Sequence, residues 1–225
     1  MIYKIQYSGF NNINDKLNVL VIFIGLPRSY KENFSNIQKN LLNENNKKKF
    51  NFDIGVNTTL GKVQNTNKRN IIDLNIDEKI YDDMIKLYSP KFIMNYKINP
   101  NEANNNGTAI NFFRIKNVFE NFKEKYDYYI FIRTDVQLNK EIDLEKYCKE
   151  DKISIILESR YGRGNNWSYN RDWDMFWIGK KEIFEKFIDT HKYEKREERH
   201  ALLIKYSNLD CIHEKLFTIC NGCYK

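Results

Sequence analysis

The sequence predicts an α/β fold, a mostly parallel, Rossmann-like sheet flanked by helices, and three observations lead to it. In residues 126–138, YDYYIFIRTDVQL, the apolar run Tyr128, Tyr129, Ile130, Phe131 and Ile132 does not alternate with polar residues, as suits a strand buried on both faces. Leu17–Ile24 is a second such run, followed by the turn Gly25-Leu26-Pro27-Arg28 and then by apolar residues at helical spacing. A helical stripe also leads straight into residues 126–138, the order of a helix and a following parallel strand, whose crossover is right-handed almost without exception.

Taken in order, residues 1–7 alternate Ile2, Tyr3, Ile5 and Tyr7 with other side chains and read as a short, peripheral edge strand. After the Leu17–Ile24 strand and its turn, Phe34, Ile37, Leu41 and Leu42 mark a helix. Residues 50–56 give the next strand, ended by Asn57, Thr58 and Thr59, and residues 61–70 read as a polar loop. Residues 71–74 read as a short strand, and Asp77 caps a helix that reaches Leu87 and stops at Ser89-Pro90. A strand over 91–98 and an exposed loop over 99–107 follow. Thr108 then caps a helix with Phe112, Ile115, Phe119 and Phe122 on one face, Val118 beside them, and Asn111 and Arg114 off the stripe. Beyond residues 126–138 come a helical turn over 143–148, a strand over 153–157 and a loop rich in arginine and aromatics over 158–171. A short strand over 175–178 is closed by Gly179, and helices are expected over 181–190, 195–206 and 209–220.

With 225 residues, 27.2 kDa and no Pro/Gly/Ser-rich linker, the chain is expected to form one domain over residues 1–225. The formal charge is +7 and the pI near 9.0, but the lysines accompany an excess of asparagine and isoleucine, as an AT-rich genome produces. Charge therefore points only weakly to anionic ligands: nucleotide diphosphates, phospholipid surfaces or nucleic acid. The longest aliphatic stretch, from Val19 to Ile24, is too short for a bilayer, the amino terminus lacks a signal-peptide layout, and four cysteines do not make a disulfide framework. A soluble, cytoplasmic protein without a transmembrane segment is expected. Cys211, His213, Cys220 and Cys223 offer a zinc clip or, on the alternative reading, belong to an amphipathic helix; His191 and His200 read as solvated. Walker, catalytic-serine and dinucleotide motifs are missing from the sequence.

Ligands of open α/β sheets bind outside the carboxyl ends of strands, which makes Arg133 and Asp135 a site candidate; the alternative is a solvated strand end. The turn with Gly25, Pro27 and Arg28 opens a helix whose first amides suit a phosphate, unless Gly25 and Pro27 only shape the turn. Tyr161, Trp167 and Tyr169, with Arg163, read as a substrate loop or as a lid packed on the core. Five features thus occur in order: G-x-x-R (Gly25, Arg28), a polar-x-x-Arg pair (Asn111, Arg114) and a Tyr-Asp-aromatic strand ending in R-x-D (Arg133, Asp135). A late aspartate before an Ile-Gly segment (Asp174, Gly179) and an acidic residue near the end (Glu214) complete them.

In this arrangement the chain resembles the GT-A type nucleotide-sugar glycosyltransferases that build surface polysaccharides in bacteria and large DNA viruses. The resemblance implies a nucleotide-sugar donor held by Gly25, Pro27, Arg28, Asn111, Arg114, Arg133 and Asp135, and a glycan or glycoconjugate acceptor at Arg163, Trp167 and Tyr169. For an inverting transfer it implies a base, Asp174 first and Asp172 second, the bland alternative being that Asp174 caps or pairs with Arg163 or Arg171. The family's D-x-D metal motif falls on Arg133-Thr134-Asp135, with arginine in the first position. Mn²⁺ or Mg²⁺ is expected on Asp135, completed by diphosphate and water, or else Arg133 supplies charge through a bidentate phosphate contact. The rival expectations are a catalytically inactive sugar- or nucleotide-binding module on the same fold and a basic nucleic-acid-binding protein, for which no reading motif is present.

Overall fold

Eight residues, Leu17–Ile24, form the strand about which the sheet is built, and from Val19 onward each of them is at most 1% exposed. The computed structural model of the protein describes residues 2–5, 16–27, 29–59, 61–67, 70–76, 78–96, 107–122, 125–155, 176–189 and 217–219. In chain order the elements are β1 (Ile2–Ile5), β2 (Leu17–Ile24), α1 (Tyr30–Asn40), α2 (Glu44–Lys49), β3 (Phe50–Thr58), β4 (Gly61–Asn67), β5 (Asn70–Ile76) and α3 (Glu78–Tyr88). They continue as β6 (Phe92–Asn95), α4 (Gly107–Asn121), β7 (Tyr128–Arg133), β8 (Val136–Leu138), a 3₁₀ turn (Leu144–Lys146), β9 (Ser154–Ile155), β10 (Phe176–Gly179), α5 (Lys181–Asp189) and β11 (Phe217–Ile219).

The main sheet has seven strands in the order β1-β6-β3-β2-β7-β10-β9. Its centre, β6-β3-β2-β7, is parallel, whereas β1, β10 and β9 join antiparallel at the two sides. The sheet is therefore mixed, with the expected parallel character in its middle. Val19, Val21 and Phe23 of β2 point to one face, where they meet Phe34 and Ile37 of α1 and Tyr81, Met84 and Tyr88 of α3. Leu20, Ile22 and Ile24 point to the other, against Ile115, Val118 and Phe119 of α4 and Phe184 of α5. Helices on both faces explain why β2 and β7 are apolar without alternation. The two faces also decide the topology. From β2 the chain steps through β3 to β6 on one side, then returns through α4 to β7 on the opposite side of β2. Strand order thus reverses between β2 and β7, the switch point at which open α/β sheets leave a crevice outside their carboxyl ends.

Gly55 of β3 is required by packing. A Cβ there would lie 2.3 Å from the ring of Phe92, which is fully buried on the neighbouring strand β6. Gly55→Ala should therefore destabilise the protein by ~1–3 kcal/mol through overpacking, read as a lower denaturant midpoint at an unchanged slope.

After Arg133 the chain turns at Thr134 and Asp135 and leaves the main sheet as β8, pairing with β11. Asparagines of α1 hold this segment. Asn33 Nδ2 donates to Thr134 O at 2.7 Å, Asn36 Nδ2 donates to Leu138 O at 2.8 Å and its Oδ1 accepts from Leu138 N at 2.6 Å, and Asn40 Nδ2 donates to Leu138 O at 3.1 Å. Positions 33, 36 and 40 share one helix face, so side-chain amides of α1 take backbone groups of this segment beside its pairing with β11. Asn46 of α2 does the same for the next stretch, donating to Leu41 O and Ile142 O and accepting from Leu144 N. Asn46→Ala would orphan these buried groups and should cost ~2 kcal/mol or more of folding stability by chemical denaturation.

Several sequence expectations change. Residues 61–70 are not a loop: β4 pairs antiparallel with β5, bringing Val63 opposite Leu74 and Asn65 opposite Ile72. Mixed polar composition hid the strand, because the residues show no clear period and only the backbone pairing reveals the hairpin. Phe217–Ile219 is a strand and not part of a helix over 209–220; its aromatic and β-branched residues suit the backbone edge that Val136–Leu138 presents. Helix α4 begins at Gly107, so Thr108 lies inside it, and β3 runs two residues beyond Val56 to Thr58. The segment expected as a strand over 126–138 divides into β7 and β8. The loop over 158–171, the helix over 195–206 and the Cys211, His213, Cys220 and Cys223 group lie outside the described residues. No helix among the described residues is long and apolar enough to cross a membrane.

Candidate functional site

The carboxyl ends of β3, β2 and β7 stand level, with Asn57 opposite Ile24 and Ile24 opposite Arg133. Immediately past this row come Thr58 and Thr59, the turn Gly25-Leu26-Pro27, and Thr134 with Asp135. Thr134 ties the two sides of the switch point together. Its amide donates to Ile24 O at 3.2 Å, its hydroxyl donates to Leu26 O, and its carbonyl accepts from Asn33 of α1. The turn itself requires a glycine, since Gly25 has φ +103°, and a Cβ there would lie 3.7 Å from Arg114 Nη1 and 3.9 Å from Arg133 Cγ. The guanidinium of Arg114 and the aliphatic stem of Arg133 therefore flank the face of Gly25. The start of α1 follows, with Ser29 in the left-handed region at φ 46° and Tyr30 at the first helical position.

Arg114 reaches this edge because of helix geometry. Helix α4 starts on the carboxyl side of the sheet and runs back toward the start of β7; side chains tilt toward the amino terminus of their helix, hence toward the crevice. Its place is fixed from below by Asn57 Nδ2, which donates to Arg114 O at 2.9 Å and to Asn117 Oδ1 at 3.3 Å. The side chain is 2% exposed. Its Nη2 donates to Thr59 Oγ1, whose own hydroxyl donates to Tyr96 O at 2.9 Å, and the guanidinium carbon lies 5.9 Å from the centre of the Tyr96 ring. Among the described residues no carboxylate pairs with it, and Nε has no partner. Burial pulls the guanidinium down to about 10, Tyr96 opposes this, Arg133 adds to it, and Tyr81 opposes it again. At neutral pH Arg114 is a buried cation.

Arg133 is arranged differently. Its Nε donates to Asp135 Oδ1 at 2.9 Å and its Nη2 to Asp135 Oδ2 at 2.5 Å, a fork-to-fork pair in which the carboxylate is 4% and the guanidinium 20% exposed. Two further polar atoms at this edge, Asn57 Oδ1 and Thr58 Oγ1, are buried without a hydrogen-bond partner. Buried polar groups in native proteins are nearly always satisfied, so orphaned atoms at the strand end that holds a guanidinium with no carboxylate partner among the described residues mark this edge as a candidate for a polar ligand. With two guanidiniums against one carboxylate among the described residues, the ligand this edge favours is an anion.

The sequence matches no protein-family profile and no curated protein. The site's own geometry therefore carries the functional argument.

Of the residues singled out from the sequence, the fold brings Gly25, Pro27, Arg114, Arg133 and Asp135 to one edge, and buries Asn111 one turn before Arg114. Arg28, Arg163, Trp167, Tyr169, Asp172, Asp174 and Glu214 lie outside the described residues. The chain re-enters the described structure at Phe176, opposite Ile132, with the amino end of antiparallel β10 at this same edge. Asn57, Thr58, Thr59, Tyr96 and Thr134 were not singled out as site residues. A run of small polar residues closing a buried strand, as Asn57-Thr58-Thr59 does, is the signal that could have found three of them. Asn111 and Arg114 lie off the apolar stripe of α4 yet are buried, because the helix is covered on that side by the ends of β3 and β2.

Proposed function

We propose that the protein transfers a sugar from a nucleoside-diphosphate sugar to a hydroxyl of a glycan or glycoconjugate, on a GT-A-like form of this fold. The observation that carries the reading is Arg114, a buried guanidinium without a carboxylate partner among the described residues, held against Gly25 at the switch point. A diphosphate supplies the missing counter-charge, and the orphaned Asn57 and Thr58 atoms suit a ligand rich in hydroxyl and carbonyl groups. The ordered motifs that resemble those of nucleotide-sugar transferases favour a sugar nucleotide over other phosphates.

In this reading Gly25 leaves room for the phosphates, while Pro27, Arg28 and the first turn of α1 border them. Asn111 and Arg114 approach from α4 and Arg133 from β7. The acceptor lies along Arg163, Trp167 and Tyr169. During transfer the acceptor oxygen bonds to the anomeric carbon as the bond from that carbon to the phosphate oxygen breaks. The bonding pair leaves on the diphosphate, whose charge the arginines balance, and Asp174, or Asp172 in its place, takes the acceptor proton. A divalent cation on Asp135 would have to take oxygens that Arg133 holds and sit beside its charge. That donor set does not fit one, and no step here is routed through a metal.

Calorimetric titration with a panel of nucleoside diphosphates and nucleotide sugars, followed by assays of donor hydrolysis and transfer, tests the proposal. Binding of a nucleotide sugar with turnover is expected. Tight binding with no hydrolysis or transfer to any acceptor would make the protein a binding module, and binding of oligonucleotides alone would remove both sugar readings. Gly25→Ala should cost ~1–3 kcal/mol of stability by denaturant titration, because φ +103° strains any residue with a Cβ.

A further inference from the structure

We propose that Arg114 takes the charge-balancing place of a divalent cation at this site, with Asp135 serving to hold Arg133 and not to bind metal. The inference rests on the nucleotide-sugar reading only for the identity of the ligand's organic part; its own subject is the phosphates. Three observations lead to it. First, Asp135 gives both of its oxygens to one guanidinium, at 2.9 and 2.5 Å, and is almost wholly buried, so that each oxygen and its charge already face Arg133. A hard cation bound there would stand beside Arg133 and would repel it.

Second, the positive charge a phosphate needs is already present. Arg114 is buried with one hydroxyl hydrogen bond from Nη2, an unpaired Nε and no carboxylate among the described residues. A cation is stable in such surroundings when an anion completes it, and a guanidinium presents paired N–H groups that match phosphate oxygens. Third, the orphaned Asn57 Oδ1 and Thr58 Oγ1 lie at the same strand end, next to Thr59, which already touches the guanidinium. Arg114 with the Thr59 hydroxyl thus forms the group that a phosphate would complete, while Asp135 acts as a positioning residue for the second arginine.

The test measures binding of inorganic pyrophosphate and of a nucleoside diphosphate, each with excess chelator and with Mn²⁺, to the wild type and to Arg114→Met, Arg114→Lys and Asp135→Asn, with the melting temperature of each recorded. Expected results are wild-type binding of both probes that differs by less than ~2-fold between chelator and Mn²⁺, and a loss of ~10- to 100-fold in folded Arg114→Met, the range of a charge-assisted contact. Arg114→Lys should fall between, since it keeps charge and loses the fork. Asp135→Asn should stay within ~10-fold of wild type and show the same indifference to Mn²⁺. Binding that requires Mn²⁺ and vanishes in Asp135→Asn would overturn the inference and leave the nucleotide reading standing. Pyrophosphate bound through Arg114 with no gain from the nucleoside would uphold the inference and remove the nucleotide reading. No binding of either probe under either condition would overturn both.

Discussion

Arg114→Met is expected to raise the melting temperature of the ligand-free protein while removing its affinity for phosphate ligands. The guanidinium is buried, holds one hydroxyl and has no carboxylate partner among the described residues, so folding moves its charge out of water with little returned. Methionine has a similar length and leaves Thr59 still donating to Tyr96 O. Replacing buried ionic groups by apolar ones is often stabilising by ~1–4 kcal/mol, and a gain toward the upper part of that range is expected here. The pH dependence has a definite sign. The folded value of about 10 lies below the ordinary 12.5, so between them the unfolded chain holds more proton and the wild type gains stability as pH rises. Below that window the unfavourable contribution is present in full. The stability advantage of Arg114→Met should accordingly be constant near neutrality and shrink above pH ~10. A lower melting temperature for the variant at pH 7 would make Arg114 a structural residue.

Asp174→Asn carries the largest expected effect on turnover. If Asp174 takes the acceptor proton, the substitution removes the base and leaves donor binding unchanged, lowering kcat by ~100-fold or more at an unaltered donor Kd. Asp172→Asn under the same assay assigns the role between the two. Equal kcat in Asp174→Asn and the wild type would remove it from the reaction.

The parts of this fold that the sequence shows most clearly are those whose side chains obey one period. Leu17–Ile24 and Tyr128–Arg133 are buried on both faces, so their apolar runs identify them directly as central strands, and the helical stripe ending at Phe122 places α4 between β6 and β7. The residues at the crevice follow no period. The period places Arg114 only as off the apolar stripe, and it is the ends of β3 and β2 against it that turn that side of the helix into an interior. Asparagine is a second case. Its abundance reads as a bias of composition, yet Asn33, Asn36, Asn40 and Asn46 bond the backbone of the segment that leaves β7. Those partners lie about a hundred residues away in sequence, where local reasoning has no purchase. Gly25 and the R-x-D pair could be placed at a strand end from sequence; that Arg133 and Asp135 bond one another could not, because their spacing fits equally well a pair that faces a ligand.

The central claim is that the ligand occupies the crevice between the ends of β2 and β7, and amide hydrogen exchange tests it most directly. The protein would be exchanged with and without a saturating nucleoside diphosphate, under chelator, and followed by peptide. Slower exchange in the peptides carrying residues 25–34, 57–59 and 133–138, with β4 and β5 unchanged, is the predicted result. Protection confined to other segments, or none at a nucleotide concentration shown to saturate binding, would contradict it.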